Sequence, residues 1–143
     1  MVIACSHCGR KNRLDVANLA KSVRCGACKT VLTPIAAPVD VDPMVFDDVL
    51  ANSALPVLVD FWAAWCGPCR IAAPEVKKVA EEMAGRALVL KVDTERHPDL
   101  AARYQVQGIP NFIVLKQGRL IHQQAGVVPA AQMVQWLVAA NAS

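Results

Sequence analysis

Along this chain, short unbroken apolar runs alternate with stretches whose apolar residues recur every three to four positions. Val57-Leu58-Val59-Asp60-Phe61-Trp62, Leu88-Val89-Leu90-Lys91-Val92 and Phe112-Ile113-Val114-Leu115 have the length and β-branched or aromatic content of strands. After the first run, Val76, Val79, Ala80 and Met83 fall at helical spacing, which predicts a helix over 67–84 with Gly85 as its stop. Pro74 lies inside that helix and should kink it. Asp42-Pro43 is an N-cap followed by proline at the first helical position, opening a helix that runs to about residue 51. Residues 98–104 predict a short helix. Lys116-Gln117-Gly118-Arg119 predicts a hairpin turn between the third run and Leu120-Ile121. A last helix from about residue 129 should bury Met133, Trp136, Leu137 and Ala140. Strand–helix–strand followed by hairpin–helix predicts an α/β fold, a mixed sheet with helices on both faces.

At 143 residues and 55% hydrophobic content, one ordinary domain plus a small appendage can build a core without help from disulfides. No apolar run approaches the ~18 residues needed to span a bilayer. The start, Met1-Val2-Ile3-Ala4-Cys5, offers no secretory signal, so a soluble protein of a reducing, cytoplasmic compartment is expected. Charge is uneven. Residues 1–40 hold six basic side chains against Asp15 and Asp40, whereas the remainder holds nine basic against ten acidic. Without any aromatic residue, that basic segment is a poor platform for nucleic acid, and a solvated basic face is expected instead.

Cys5-Ser6-His7-Cys8 and Cys25-Gly26-Ala27-Cys28 stand sixteen residues apart, the spacing of a structural zinc site with two ligands from each tight turn. Gly9 and Gly26 suit such turns because glycine tolerates positive φ. Leu14, Val16, Leu19 and Val23 are too few to form a core, so a metal would supply folding free energy. Two disulfides, or a ligand role for His7, are the competing readings; the absence of a signal argues against the first. Residues 34–41, with Pro34 and Pro38, predict an extended connector. The expected organisation is a zinc-binding module over 1–33, a linker over 34–41 and the larger domain over 42–143.

Trp65-Cys66-Gly67-Pro68-Cys69 places two thiols three positions apart where a strand becomes a helix. Unsatisfied N–H groups and the helix dipole at that terminus stabilise a Cys66 thiolate, the form that acts as nucleophile. Cys69, one turn on, can close a disulfide with it. Asp60 faces the same side of its strand as Leu58 and Trp62, where burial raises a carboxyl pKa; the plainer alternatives are backbone hydrogen bonds or a pairing with Lys91.

Val59-Asp60-Phe61-Trp62-Ala63-Ala64-Trp65-Cys66-Gly67-Pro68-Cys69-Arg70, then Gly108-Ile109-Pro110 and Gly126, resemble the thioredoxin family over residues 41–143. With two zinc-type pairs in front, the whole chain resembles the zinc-binding, second type of bacterial thioredoxin. The resemblance implies that Cys66 attacks and Cys69 resolves, with Asp60 as proton acceptor or donor for Cys69 and Lys91 held near it. It implies a cis Ile109–Pro110 bond facing the dithiol, and a docking surface of Trp65, Gly67, Pro68, Ile109, Pro110 and Gly126, with Trp62 as support. Asn111 departs from the Thr usual there. His97 and His122 are expected to be solvated or capping, and Trp136 core.

The function implied is reduction of protein disulfides by dithiol–disulfide exchange, with one structural zinc ion and no organic cofactor. No G-x-G-x-x-G follows a strand, so electrons must come from a partner, by family an NADPH-dependent thioredoxin reductase. A monomer is expected. The competing functions are a net oxidant or isomerase, against which Gly67-Pro68 argues, and a zinc-dependent redox-sensing or binding module.

Overall fold

The structure, a computed structural model, describes residues 1–19 and 21–142. Ala20, in the expected module, and Ser143, at the end of the expected larger domain, lie outside the described residues.

The N-terminal segment forms a two-stranded antiparallel sheet, β1 (Val2–Ala4) with β2 (Lys11–Arg13), followed by a 3₁₀ turn (Val16–Asn18). The chain then passes through β3 (Val39–Asp40), α1 (Pro43–Asn52), β4 (Val57–Trp62), α2 (Gly67–Glu82) and β5 (Leu88–Asp93). It ends with α3 (Pro98–Arg103), β6 (Asn111–Lys116), β7 (Arg119–Ala125) and α4 (Ala130–Asn141). The second sheet has the order β3-β5-β4-β6-β7, parallel on the β3 side of β4 and antiparallel beyond it, so it is mixed as expected.

The apolar runs become central strands because both faces of the sheet are covered. Val57, Val59 and Phe61 point into one core with Phe46 and Val49 of α1 and Leu100 of α3. Leu58 points into the other, with Ala72, Val76 and Val79 of α2 and Met133 and Leu137 of α4. Asp42 caps α1 through its side chain, which accepts from the Val45 N–H at 2.9 Å. Gln117 and Gly118 both take positive φ in the hairpin turn. Gly85, at φ +82°, stands just beyond α2. That helix runs on through Pro74, whose missing N–H deprives the Arg70 carbonyl of its helical donor.

Three placements differ from the expectations. Trp136 is half-buried at the edge of its core, tilted against the His122 ring with centroids 4.3 Å apart, because Met133, Leu137 and Ala140 occupy the fully buried face of α4. His122 is correspondingly only half-exposed, its Nε2 buried and without a hydrogen-bond partner among the described residues. Within the connector 34–41, Val39–Asp40 is a strand at the sheet edge.

The N-terminal segment is continuous with the larger core. Leu14, Val16 and Leu19 are buried in the same cluster as Phe46, Val49 and Leu90. Among the described residues no helix is long and apolar enough to cross a membrane.

A shared core predicts shared unfolding. Leu14→Ala should destabilise the whole chain by ~2–5 kcal/mol in one denaturant transition, as expected for truncating a buried leucine. A separate early transition, with the midpoint of the main one unchanged, would show that the two parts are independent.

Candidate functional site

Cys66 is placed by the junction of β4 and α2. Beyond Trp62 the buried Ala63 accepts from the Cys66 N–H at 3.1 Å, closing a tight turn. Cys66 is the N-cap of α2, in extended backbone, and its Sγ accepts from the Cys69 N–H at 3.2 Å. Pro68 in the first turn has no N–H to leave unsatisfied. Cys66 and Cys69 form a disulfide, with Cα atoms 5.2 Å apart. Once that bond opens, the same N–H and the helix N-terminus stabilise negative charge on Cys66. Burial does not distinguish the two residues, which are 3% and 5% exposed; their surroundings do.

On the Cys66 side lie Trp65, Ile109 and Pro110. Trp65 is 67% exposed, and its Nε1 donates to Glu95 Oε1 at 2.7 Å, which holds the indole over the surface. The Ile109–Pro110 bond is cis, and Cys66 Sγ lies 3.7 Å from the Ile109 carbonyl oxygen. Ile109 and Trp62 pack against Ala63, Cys66 and Cys69. Gly67 and Pro68 are exposed at the helix start. Gly126 donates to the Pro110 carbonyl at 2.8 Å from φ +95°, a conformation that favours glycine, although a Cβ there would meet no atom within 4 Å. Ile71 and Val127, which sequence reading passed over, are exposed apolar neighbours of Cys69 and Gly126 in the chain. Apolar residues beside a motif were the available signal.

On the Cys69 side a cavity of about 300 Å³ is shared by Asp60, Trp62, Cys69 and Lys91. Asp60 is 1% exposed, and its Oδ1 has no hydrogen-bond partner among the described residues. No ion pair within 4 Å joins it to Lys91, although the lysine is near enough to act on its charge. Burial pushes the Asp60 carboxyl up to about 7; Lys91 acts against this and Asp40 adds to it. Lys91 holds its Nζ 4.5 Å from the centre of the Trp62 ring. His97 stands at the N-cap position of α3 but makes no side-chain capping bond. Asn111 is buried, its Oδ1 accepting from Gln123 Nε2 at 3.2 Å.

The other four cysteines converge from two matching turns. Gly9 donates to the Cys5 carbonyl and Lys29 to the Cys25 carbonyl, while Cys5 and Cys25 donate to Arg10 and Thr30. The position after each pair carries the positive φ, so Lys29 (φ 64°), and not Gly26, is the counterpart of Gly9. Cys5 and Cys28 sulfurs are 3.6 Å apart and those of Cys8 and Cys25 3.5 Å, and all four lie within 4.8 Å of one another without a bond. A tetrahedral Zn–S₄ site with ~2.3 Å bonds has sulfur edges of about 3.8 Å, so these residues fit such an ion. The Cys28 and Ala27 N–H groups hold the Cys25 thiol down, whereas at Cys8 the Arg10 backbone is outweighed by the hydrogen bonds with Cys25 and Cys28, which push the thiol up. Asn12 was not legible as part of this site. It bridges the two turns, accepting from the Gly26 N–H at 2.9 Å and donating to the Arg10 carbonyl at 3.0 Å and to Cys25 Sγ at 3.5 Å.

A profile of the family Thioredoxin matches residues 37–139. Thioredoxin C-3 of Corynebacterium nephridii is 36% identical over 137 residues, covering 96% of this chain and 93% of that protein. Thioredoxin 1 of Chlorobaculum tepidum is 51% identical over 89 residues, 62% of this chain and 88% of that one. Among solved structures, a chloroplastic thioredoxin z superposes with a TM-score of 0.69 at 31% identity, covering 75% of this chain and 96% of that one.

The buried carboxyl carries a pH signature. Asp60 titrates near 7 in the folded protein against an ordinary 3.8, so between these values the folded state holds the extra proton. Stability should therefore fall as pH rises from about 4 through 7, with the loss complete above 7. Asp60→Asn should exceed the parent by on the order of 2–4 kcal/mol at pH 8, and the gap should close by about pH 4. Urea unfolding at the two pH values measures this; a gap independent of pH would refute it.

Proposed function

Because the chain belongs to the thioredoxin family and is a thiol–disulfide oxidoreductase, we propose that it reduces protein disulfides through Cys66 and Cys69, with Asp60 managing the proton. One observation carries this reading: the Cys66–Cys69 pair sits at a helix N-terminus, and its second sulfur shares a cavity with a buried carboxyl.

The Cys66 thiolate attacks one sulfur of a substrate disulfide. A Cys66–substrate bond forms, the substrate S–S bond breaks, and the departing sulfur carries away the electron pair and takes a proton. Cys69 then gives its proton to the Asp60 carboxylate across the cavity, and its sulfur attacks Cys66 Sγ. The mixed disulfide breaks, the second substrate sulfur leaves as a thiolate, and the Cys66–Cys69 disulfide is restored with two electrons transferred. A pKa near 7 lets Asp60 take and return that proton at neutral pH. Lys91 steadies the ionised carboxylate, and Trp62 holds Lys91. Trp65, Gly67, Pro68 and Gly126 frame the dithiol for docking, while an extended substrate segment lies along the backbone at Ile109–Pro110. A thioredoxin reductase using NADPH returns the two electrons. The protein works in the cytoplasm as a monomer.

Residues 1–33 act as the metal-binding module, 34–41 as the connector and 42–143 as the catalytic domain. Cys5, Cys8, Cys25 and Cys28 hold one structural zinc ion, supported by their sulfur spacing and unbridged state. Four protein ligands leave no open position for catalysis, so the ion's contribution is to join the two turns.

With dithiothreitol as donor, the parent protein should turn over a model protein disulfide, and Cys66→Ser should not. Cys69→Ser should make the first attack and accumulate a mixed disulfide, visible as a covalent adduct by mass spectrometry. An active Cys66→Ser variant would end this assignment of roles. Elemental analysis should find one zinc per chain and essentially none in the Cys5→Ser/Cys8→Ser double variant, whose folding stability should fall by several kcal/mol. Full stability without metal would remove the structural role.

A further inference from the structure

Three charged side chains lie in one row across the sheet. Asp60 on β4 is in register with Lys91 on β5, and Lys91 is in register with Asp40 on β3. Partners in parallel register share a face, here the one covered by α2, because Val39 turns the other way into the opposite core. β3 is also fastened to Lys91 itself, since the Val41 N–H donates to the Lys91 carbonyl at 3.1 Å. Lys91 thus stands between a buried carboxyl and an exposed one, with no ion pair within 4 Å to either among the described residues. Its ammonium rests on the Trp62 ring. The cavity of Asp60 and Cys69 lies on one side of that pair, and a cleft of about 560 Å³ that includes Asp40 lies on the other.

We propose that Asp40 is a positioning residue for the dithiol chemistry: through Lys91 it sets how readily Asp60 takes and returns the proton of Cys69. The segment leading out of the four-cysteine module thereby has an electrostatic hold on the active site. This rests on Asp60 being the proton acceptor for Cys69.

The sign follows from the arrangement. A negative charge at Asp40 opposes ionisation of Asp60 and draws on the field of the one cation between them. Both effects keep Asp60 protonated to higher pH, in the direction found for its carboxyl. Other charges face the row as well. Arg70 looks into the Asp60 cavity from α2, beside Cys69. Asp42 from the cap of α1, Asp93 from β5, and Arg96 and His97 from the following loop line the cleft. These are of mixed sign, and Asp40 alone among them is paired in register with Lys91.

The test is the pH dependence of mixed-disulfide resolution in the zinc-loaded full chain, together with the Asp60 carboxyl titration followed by carbon NMR. Asp40→Asn should move the midpoint down by roughly 0.3–1 pH unit, the effect of one charge about two strand spacings away near the surface. Asp40→Glu should restore it towards the parent value. Asp60→Asn should remove the inflection. An unmoved or raised midpoint in Asp40→Asn, even with lowered thermal stability, overturns the proposal while leaving Asp60 in its role. If Asp60→Asn keeps the parent's inflection, the proton role of Asp60 itself falls, and the Asp40 proposal with it.

Discussion

Val57–Trp62 is hydrogen-bonded along both edges and covered on both faces, so none of its six residues can shift without disturbing two cores. The closeness of packed interiors makes such a strand a fixed reference for its neighbours. It carries Asp60 at a set depth, and its end launches the turn that makes Cys66 the cap of α2. The distance from carboxyl to dithiol is therefore a property of strand length and helix start. No flexible loop intervenes. Catalytic groups held by packed elements need little reorganisation when a substrate sulfur arrives.

That rigidity accommodates an arrangement that would otherwise be expelled from a core. A buried carboxyl without full hydrogen bonding is costly in its charged form, and the Trp62 indole N–H is also buried without a partner among the described residues. Both surround the cavity that reaches Cys69. An isolated defect of this kind would favour substitution by an apolar residue. Here burial raises the Asp60 carboxyl to about 7, which in the role proposed for it places its proton exchange at neutral pH.

The N-terminal module is solved differently. Its sheet has only two short strands, too little for independent stability. It is completed from two directions. Two equivalent turns bring four sulfurs into ligating range, with Asn12 pinned between them. Leu14, Val16 and Leu19 meanwhile reach into the larger domain's core beside Phe46. Thr33 secures the exit by accepting from the Val23 N–H and donating to the Lys21 carbonyl. From there the connector enters the sheet at Val39 by backbone pairing with β5, while the module itself meets the larger domain by packing.

What the sequence by itself determined was everything that depends on near neighbours in the chain. Strands buried on both faces must read as apolar runs, so β4, β5 and β6 were legible within a residue or two. Asp42-Pro43 signals a helix start through hydrogen bonds three residues long, and C-x-x-C spacing brings two sulfurs together within a single turn. Only the tertiary structure decided how distant segments meet. It chose Lys29 over Gly26 for the positive φ, because the position after each cysteine pair must let the chain reverse. It set Asn12 between two turns far apart in sequence, and left Trp136 at the rim against a half-buried His122. The row Asp40–Lys91–Asp60 exists only through strand order and register. Those depend on the summed packing of two whole cores, which no local stretch of residues encodes.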